Sequence, residues 1–241
     1  MLKKQRIDKV LSSIGYGTRK EIKEYLKRGY ITVNGEVIKQ GKTHVNPYED
    51  VIKVNDEEIN YREFVYIMLN KPGGVISATY DNLHETVVDL LEDEFRVFEP
   101  FPVGRLDKDT EGLLIITNDG KLSHEVLSPK KHVPKTYYAH IDGYVRDEHV
   151  KKFKEGVYID EDYKTLPADL RVLETGDTSK IEVTIYEGKF HQVKRMFKAI
   201  GMEVVYLKRI QMGRLKIDET LELGQYREIT KEEIEILKDR D

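Results

Sequence analysis

Residues 103–120, VGRLDKDTEGLLIITNDG, constrain this chain more than any other stretch. Residues 113–117 are an apolar run between two turn-forming segments, Thr110-Glu111-Gly112 and Asn118-Asp119-Gly120. Such a run reads as a buried strand. Just before it, one acidic side chain, Asp107, directly follows a Gly-Arg-Leu turn. A carboxylate placed there is aimed into a cleft by rigid backbone rather than left in solvent.

The 241-residue chain has to house that strand. Its length suits one large domain or two unequal ones, and 39% hydrophobic residues suffice for a real core. No stretch approaches the roughly 20 apolar residues of a membrane helix. The N-terminal charges precede no apolar segment, so no secretory signal is read there. With no cysteine, disulfides and thiolate-bound zinc are excluded. The expected compartment is the cytoplasm, with no membrane partner. The formal net charge of −4 argues at first against nucleic acid, but its distribution does not. Residues 1–30 carry nine Lys/Arg and three acids, a net +6 against −10 for the rest. That asymmetry fits a basic patch on an acidic body, or a merely solvated helical surface.

Two units are expected, 1–60 and 63–241, with residues 61–63 as a short linker. In the first, Ile7, Val10, Leu11 and Ile14 have helical spacing and Gly15 ends the run. Thr18 with Glu21 forms a capping box for a second helix with Ile22, Tyr25 and Leu26 as its apolar stripe. Asn34-Gly35 predicts a hairpin turn, and residues 51–54 a further strand. The second unit starts with an apolar strand at 64–69 and a turn at 70–74. Strands are expected at 136–141, 181–186 and 204–210, and helices at 122–127, 146–153 and 191–200. Thr230 with Glu233 caps a final helix. The whole is an α+β fold: a small α+β module followed by a domain around a largely antiparallel sheet.

Residues 4–59 resemble the RNA-binding domain named after small-subunit ribosomal protein four, through RIDKVLSSIGYGTRKEIKEYLKRGYITVNGEVI. The resemblance implies that Arg6, Arg19, Lys20 and Lys23 face RNA phosphates. Four later segments, NKPGGVIS, VGRLDKDTEGLLIITNDG, PKTYYAHIDG and EGKFHQVKRMFKAIG, resemble in order those of the small-subunit rRNA pseudouridine synthase family. That resemblance implies isomerisation of a uridine in 16S rRNA, at position 516. It implies no cofactor and no metal, and as partner ribosomal RNA in a small-subunit assembly intermediate, bound by a monomer.

The resemblance also implies roles. Asp107 is the catalytic carboxylate, and it must be ionised, which favours an adjacent cation. Lys194 and Arg195 are the candidates, with Lys194 at the family's active-site position. Tyr137 stacks on the target base, while Tyr138 would point to the other face of its strand. Arg105 helps to flip the nucleotide, or makes a surface salt bridge to Asp109 or Glu111. Asp107-Lys-Asp109 also has the form of an acidic metal motif on one strand face. The competing readings are a non-catalytic rRNA-binding assembly factor, a synthase acting on large-subunit rRNA, and a metal-dependent transferase resting on that acidic motif alone.

Overall fold

The computed structural model describes residues 4–238. Lys3, counted above in the basic segment, lies outside them. The chain forms two compact units, Met1–Val65 with Leu91–Pro100, and Tyr66–Leu90 with Phe101–Asp241. The fold is α+β, as expected.

In the first unit, helices Ile7–Ser13 and Arg19–Arg28 pack with a four-stranded antiparallel sheet. Thr18 and Glu21 close the capping box, and Gly29 ends the helix in the left-handed region at φ 78°. Asn34 and Gly35 both have positive φ, 52° and 84°, the requirement of a tight type I′ hairpin turn. Ile7, Val10, Leu11, Ile22, Leu26, Ile31 and Ile52 form the core. Each side chain of this kind contributes about 1.5–3 kcal/mol on burial, which is how so small a unit holds together.

One boundary differs from the sequence reading. The segment Leu91–Pro100, expected in the second unit, belongs to the first. Its Phe95 and Phe98 rings lie 5.3 and 5.0 Å from the Arg62 guanidinium carbon, and both are buried. Cation–π attraction and apolar burial together recover a segment remote in sequence.

The second unit is built on a nine-stranded sheet. Its spatial order is Asp169–Glu174, Thr178–Ile185, Lys135–Asp142, Glu203–Met212, Glu111–Thr117, Tyr66–Lys71 and Tyr226–Glu228. Leu215–Lys216 and Phe101–Pro102 attach at the sides of Glu203–Met212 and Glu111–Thr117. Every pairing in it is antiparallel except one, Glu203–Met212 with Glu111–Thr117, which matches Lys208 to Glu111 and Arg209 to Gly112. At that seam Gly112 has φ 99°, and a Cβ there would lie 2.2 Å from the Arg209 carbonyl oxygen. Only glycine allows the two backbones so close.

The strand at 113–117 is buried along its length and extends back to Glu111. Thr110-Glu111-Gly112 is therefore not a turn. The turn lies earlier, where the Thr110 N–H donates to the Asp107 carbonyl at 3.1 Å. Asp107 and Asp109 accordingly sit in a loop rather than on one strand face. Met68, Leu113, Ile115, Leu122, Val126 and Met212 form one core cluster. Helix Asp147–Glu155 and helix Gln192–Ala199 meet through Phe153 and Phe197, ring centroids 4.8 Å apart. No helix among the described residues is long and apolar enough to cross a membrane.

Candidate active site

The loop that carries Asp107 is clamped on both flanks. Upstream, the Ser77 hydroxyl accepts from the Leu106 N–H at 3.0 Å and donates to the Leu106 carbonyl at 2.9 Å. Downstream, the Lys71 ammonium donates to the carbonyls of Thr110 (2.9 Å), Pro72 (3.0 Å) and Lys108 (3.3 Å). The Gly74 N–H adds a bond to Lys108 O at 2.8 Å. Lys71 is wholly buried, and that burial lowers its pKa to about 8 against the pull of Asp109, Glu111 and Asp107. Neither Ser77 nor Lys71 stood out in the sequence, although both lie in NKPGGVIS. The turn at 70–74 thus braces the loop through Gly74 and Lys71.

The clamped loop presents Asp107 to two cationic or cation-forming groups. His191 Nε2 lies 3.4 Å from Oδ1, and Lys194 Nζ lies 3.7 Å from Oδ2. Lys194 is closer still to Asp109, at 2.6 and 2.7 Å from its two carboxylate oxygens. That bond holds the Asp109 carboxyl below its ordinary value. Lys194 thus bridges the pair of carboxylates, and the Asp109 oxygens point at an ammonium.

Arg195 goes elsewhere. Its guanidinium donates to Asp160, to Ile159 O at 2.9 Å and to Phe190 O at 3.2 Å. The choice between the two neighbours follows from helix phase. Val193, Met196 and Phe197 are buried, and successive residues rotate by about 100°. With Gln192 also buried, Lys194 and Arg195 flank that face on opposite sides, so that Lys194 is turned to the Asp107 loop and Arg195 to Asp160.

A cleft of about 690 Å³ opens in front of Asp107. Tyr137 lines it and is 8% exposed, while Tyr138 on the opposite sheet face bonds His140 at 2.9 Å. The pleat thus sends one tyrosine of the pair to the cleft. Arg105 also lines it, with its side chain exposed. Arg105 makes neither of the suggested salt bridges: Asp109 is bound by Lys194, and Glu111 accepts from Tyr206 at 2.7 Å. Asp107, Tyr137 and Arg105 therefore line one cleft, with Lys194 set against Asp107.

The opposite lip carries His191, which the sequence offers as a helix cap or an active-site contact and which is both, and Glu187, which the sequence reading passed over. His191 has φ 49° and its ring stacks on Phe190 at 3.7 Å. Glu187 accepts from the Tyr163 hydroxyl, from Leu166 N–H at 2.9 Å and from Gln192 Nε2 at 3.0 Å. The carboxylate pushes the Tyr163 hydroxyl up to about 12.

In the first unit, Arg19, Lys20 and Lys23 are exposed at the start of helix Arg19–Arg28. Arg6 differs from them. Its guanidinium is bound to the buried Asp8 at 2.6 and 3.0 Å, so much of its charge is already answered.

Comparison with known proteins agrees with these features. The RNA pseudouridylate synthase family matches residues 65–199, and the S4 domain matches residues 5–51. An uncharacterized RNA pseudouridine synthase of Bacillus subtilis is 52% identical, over 97% of this chain and 98% of its own length. The ribosomal small subunit pseudouridine synthase A of Vibrio vulnificus is 41% identical, over 95% and 98%. The ribosomal large subunit pseudouridine synthase B of Bacillus subtilis is 38% identical, over 97% and 96%. A crystal structure described as pseudouridylate synthase superposes with a TM-score of 0.68 at 36% identity, covering 96% of this chain and 99% of its own. The carboxylate clamped beside a lysine and a histidine thus sits within matches that span nearly the whole chain, after an S4 domain in the sequence, and the chain belongs to the RNA pseudouridylate synthase family.

Proposed function

We propose that this protein converts a uridine of 16S rRNA, at position 516, to pseudouridine, with Asp107 as the reacting carboxylate. The observation that carries the reading is the placement of Asp107, held by Ser77 and Lys71 and faced by Lys194 and His191. In the reaction the N1–C1′ bond of the nucleoside breaks and its electron pair leaves with the base. The base turns, C5 bonds to C1′, and the proton on C5 is lost. An ionised carboxylate serves this by attacking C1′ or by assisting departure of the base and taking the proton on C2′. Lys194 and His191 stand beside that carboxylate, at 3.7 and 3.4 Å. Tyr137 stacks on the base, and Arg105 fills the space it leaves in the RNA.

The first unit docks the RNA through Arg19, Lys20 and Lys23, with a smaller part for Arg6. The substrate is a small-subunit assembly intermediate, modified in the cytoplasm by a monomer. The small-subunit target rests on the Vibrio relative's name, and the 38% identical large-subunit relative favours a second reading, a uridine of 23S rRNA. Mapping pseudouridine across both rRNAs, in cells with the protein, without it, and with Asp107→Asn, tests both. A 16S site lost in the latter two is the expected result; loss of a 23S site selects the second reading, and no change removes both.

A further inference from the structure

Two cations at the floor of the cleft have no counter-charge. Lys135 and Tyr137 lie two residues apart on the same strand, so both side chains stand on one face. Tyr137 pairs across the sheet with Arg209, and all three residues line the cleft. Arg209 is 2% exposed; its Nε donates to Leu113 O at 2.8 Å, and its Nη2 has no hydrogen-bond partner. The Lys135 ammonium donates to Val133 O at 2.9 Å. Among the described residues no carboxylate pairs with either. The acids of the cleft are engaged elsewhere, Asp107 by His191 and Lys194, and Glu187 by Tyr163 and Gln192.

Burying charge without a partner is costly. Desolvation first, and the Arg209 charge second, bring the Lys135 pKa down to about 8. Two uncompensated cations in one cavity suit a ligand that brings negative charge. The walls beside them, Val133, Ile185 and Leu207, are apolar and suit a flat base rather than a hydrated phosphate.

Resting on the isomerase reading above, we propose that Lys135, backed by the charge of Arg209, binds a carbonyl oxygen of the target uracil and holds the uracil anion while it turns. When the N1–C1′ bond breaks, its electron pair passes to N1 and the charge spreads over O2 and O4. A cation at a carbonyl oxygen stabilises that anion and keeps it in the cleft until C5 bonds C1′ and the C5 proton is lost. Fixed charge aimed at developing charge is the strongest kind of catalytic assistance a dry site offers.

The test uses the full chain with Lys135→Met and Lys135→Arg, on 16S rRNA particles containing uridine or 5-fluorouridine. Fluorine stabilises the departing anion and lowers the need for a cation. Lys135→Met is expected to match or exceed the wild-type melting temperature and to bind RNA with the same salt dependence. Its single-turnover rate of N-glycoside loss should fall about 100- to 1,000-fold on uridine, and at least about tenfold less on 5-fluorouridine, with partial recovery in Lys135→Arg. Equal losses on both substrates overturn the proposal. So does weaker binding with a shallower salt slope, which marks a phosphate contact. A melting temperature that falls in step with activity assigns Lys135 to structure alone. If the wild type leaves both substrates unchanged, the isomerase reading itself fails and the subsite falls with it.

Discussion

The two units use the same residue types in opposite ways. In the first, Arg19, Lys20 and Lys23 stand in water along one helix. In the second, Lys71 and Arg209 are withdrawn from water, and Lys135 is half-buried, at or behind the cleft. An exposed cation is screened and exchangeable, so it contributes to docking on any phosphate chain. A buried one is strongly directional. Lys71 holds three carbonyls in place, and Lys194 bridges two carboxylates. Solvation, not charge, separates binding from chemistry here.

The sharpest way to break this contrast is Asp107→Asn. It removes one charge from the cleft and is nearly isosteric, so turnover should drop by about 10⁴-fold or more while RNA affinity holds or rises. Asp109→Asn, which frees Lys194 for Asp107, should keep most of the activity. Single-turnover pseudouridine counting decides; an active Asp107→Asn beside an inactive Asp109→Asn would reverse the roles assigned here.

Tyr137 comes next. Losing the ring in Tyr137→Ala should cost about 1–3 kcal/mol of base stacking, read as a ten- to hundredfold loss of turnover. Tyr137→Phe should retain much of the rate if the ring alone acts. A dead Phe variant would show that the hydroxyl moves a proton.

The triple variant Arg19→Gln, Lys20→Gln, Lys23→Gln addresses the exposed side. The plot of log affinity against log salt should become shallower by about 2, with single-turnover chemistry at saturation unchanged. An unaltered slope would place the phosphate contacts elsewhere.

The smallest effect concerns stability against pH. Lys135 falls from 10.5 to about 8 on folding, so between those values the unfolded chain holds more protons than the folded one. Stability attributable to this group therefore rises as pH goes from 8 to 10.5. Relative to Lys135→Met, the wild type should gain on the order of 2 kcal/mol across that window. Denaturant midpoints measured at both ends check it, and an unchanged difference would show that Lys135 is solvated.

What could be read from the residues was mostly local. The Thr18–Glu21 box, the Asn34-Gly35 turn and the alternation along 181–186 each depend on near neighbours in sequence; the box and the turn formed as expected, and the strand formed at Thr178–Ile185. That Asp107 and Tyr137 share one cleft was legible because their motifs are local as well. The clamps were not. Ser77 reaches Leu106 and Lys71 reaches Thr110 across tens of residues, and nothing in either neighbourhood encodes the partner. The same holds for Leu91–Pro100, whose aromatic residues are claimed by Arg62. Lys194 and Arg195 looked equivalent until the buried face of their helix fixed its rotation.

The parallel seam has a kinetic consequence. It joins residues 111–112 to 208–209, with the segment Lys135–Asp142 and its partners formed in between. Contacts so distant along the chain carry a high loop-closure cost and form late. The Asp107 loop and the Lys194 helix come from opposite sides of that closure. The carboxylate therefore meets its cations only when the sheet is complete, and a partly folded chain holds the acid and the base apart. Amides of the seam should reach full hydrogen-exchange protection in the same refolding phase in which catalytic activity returns.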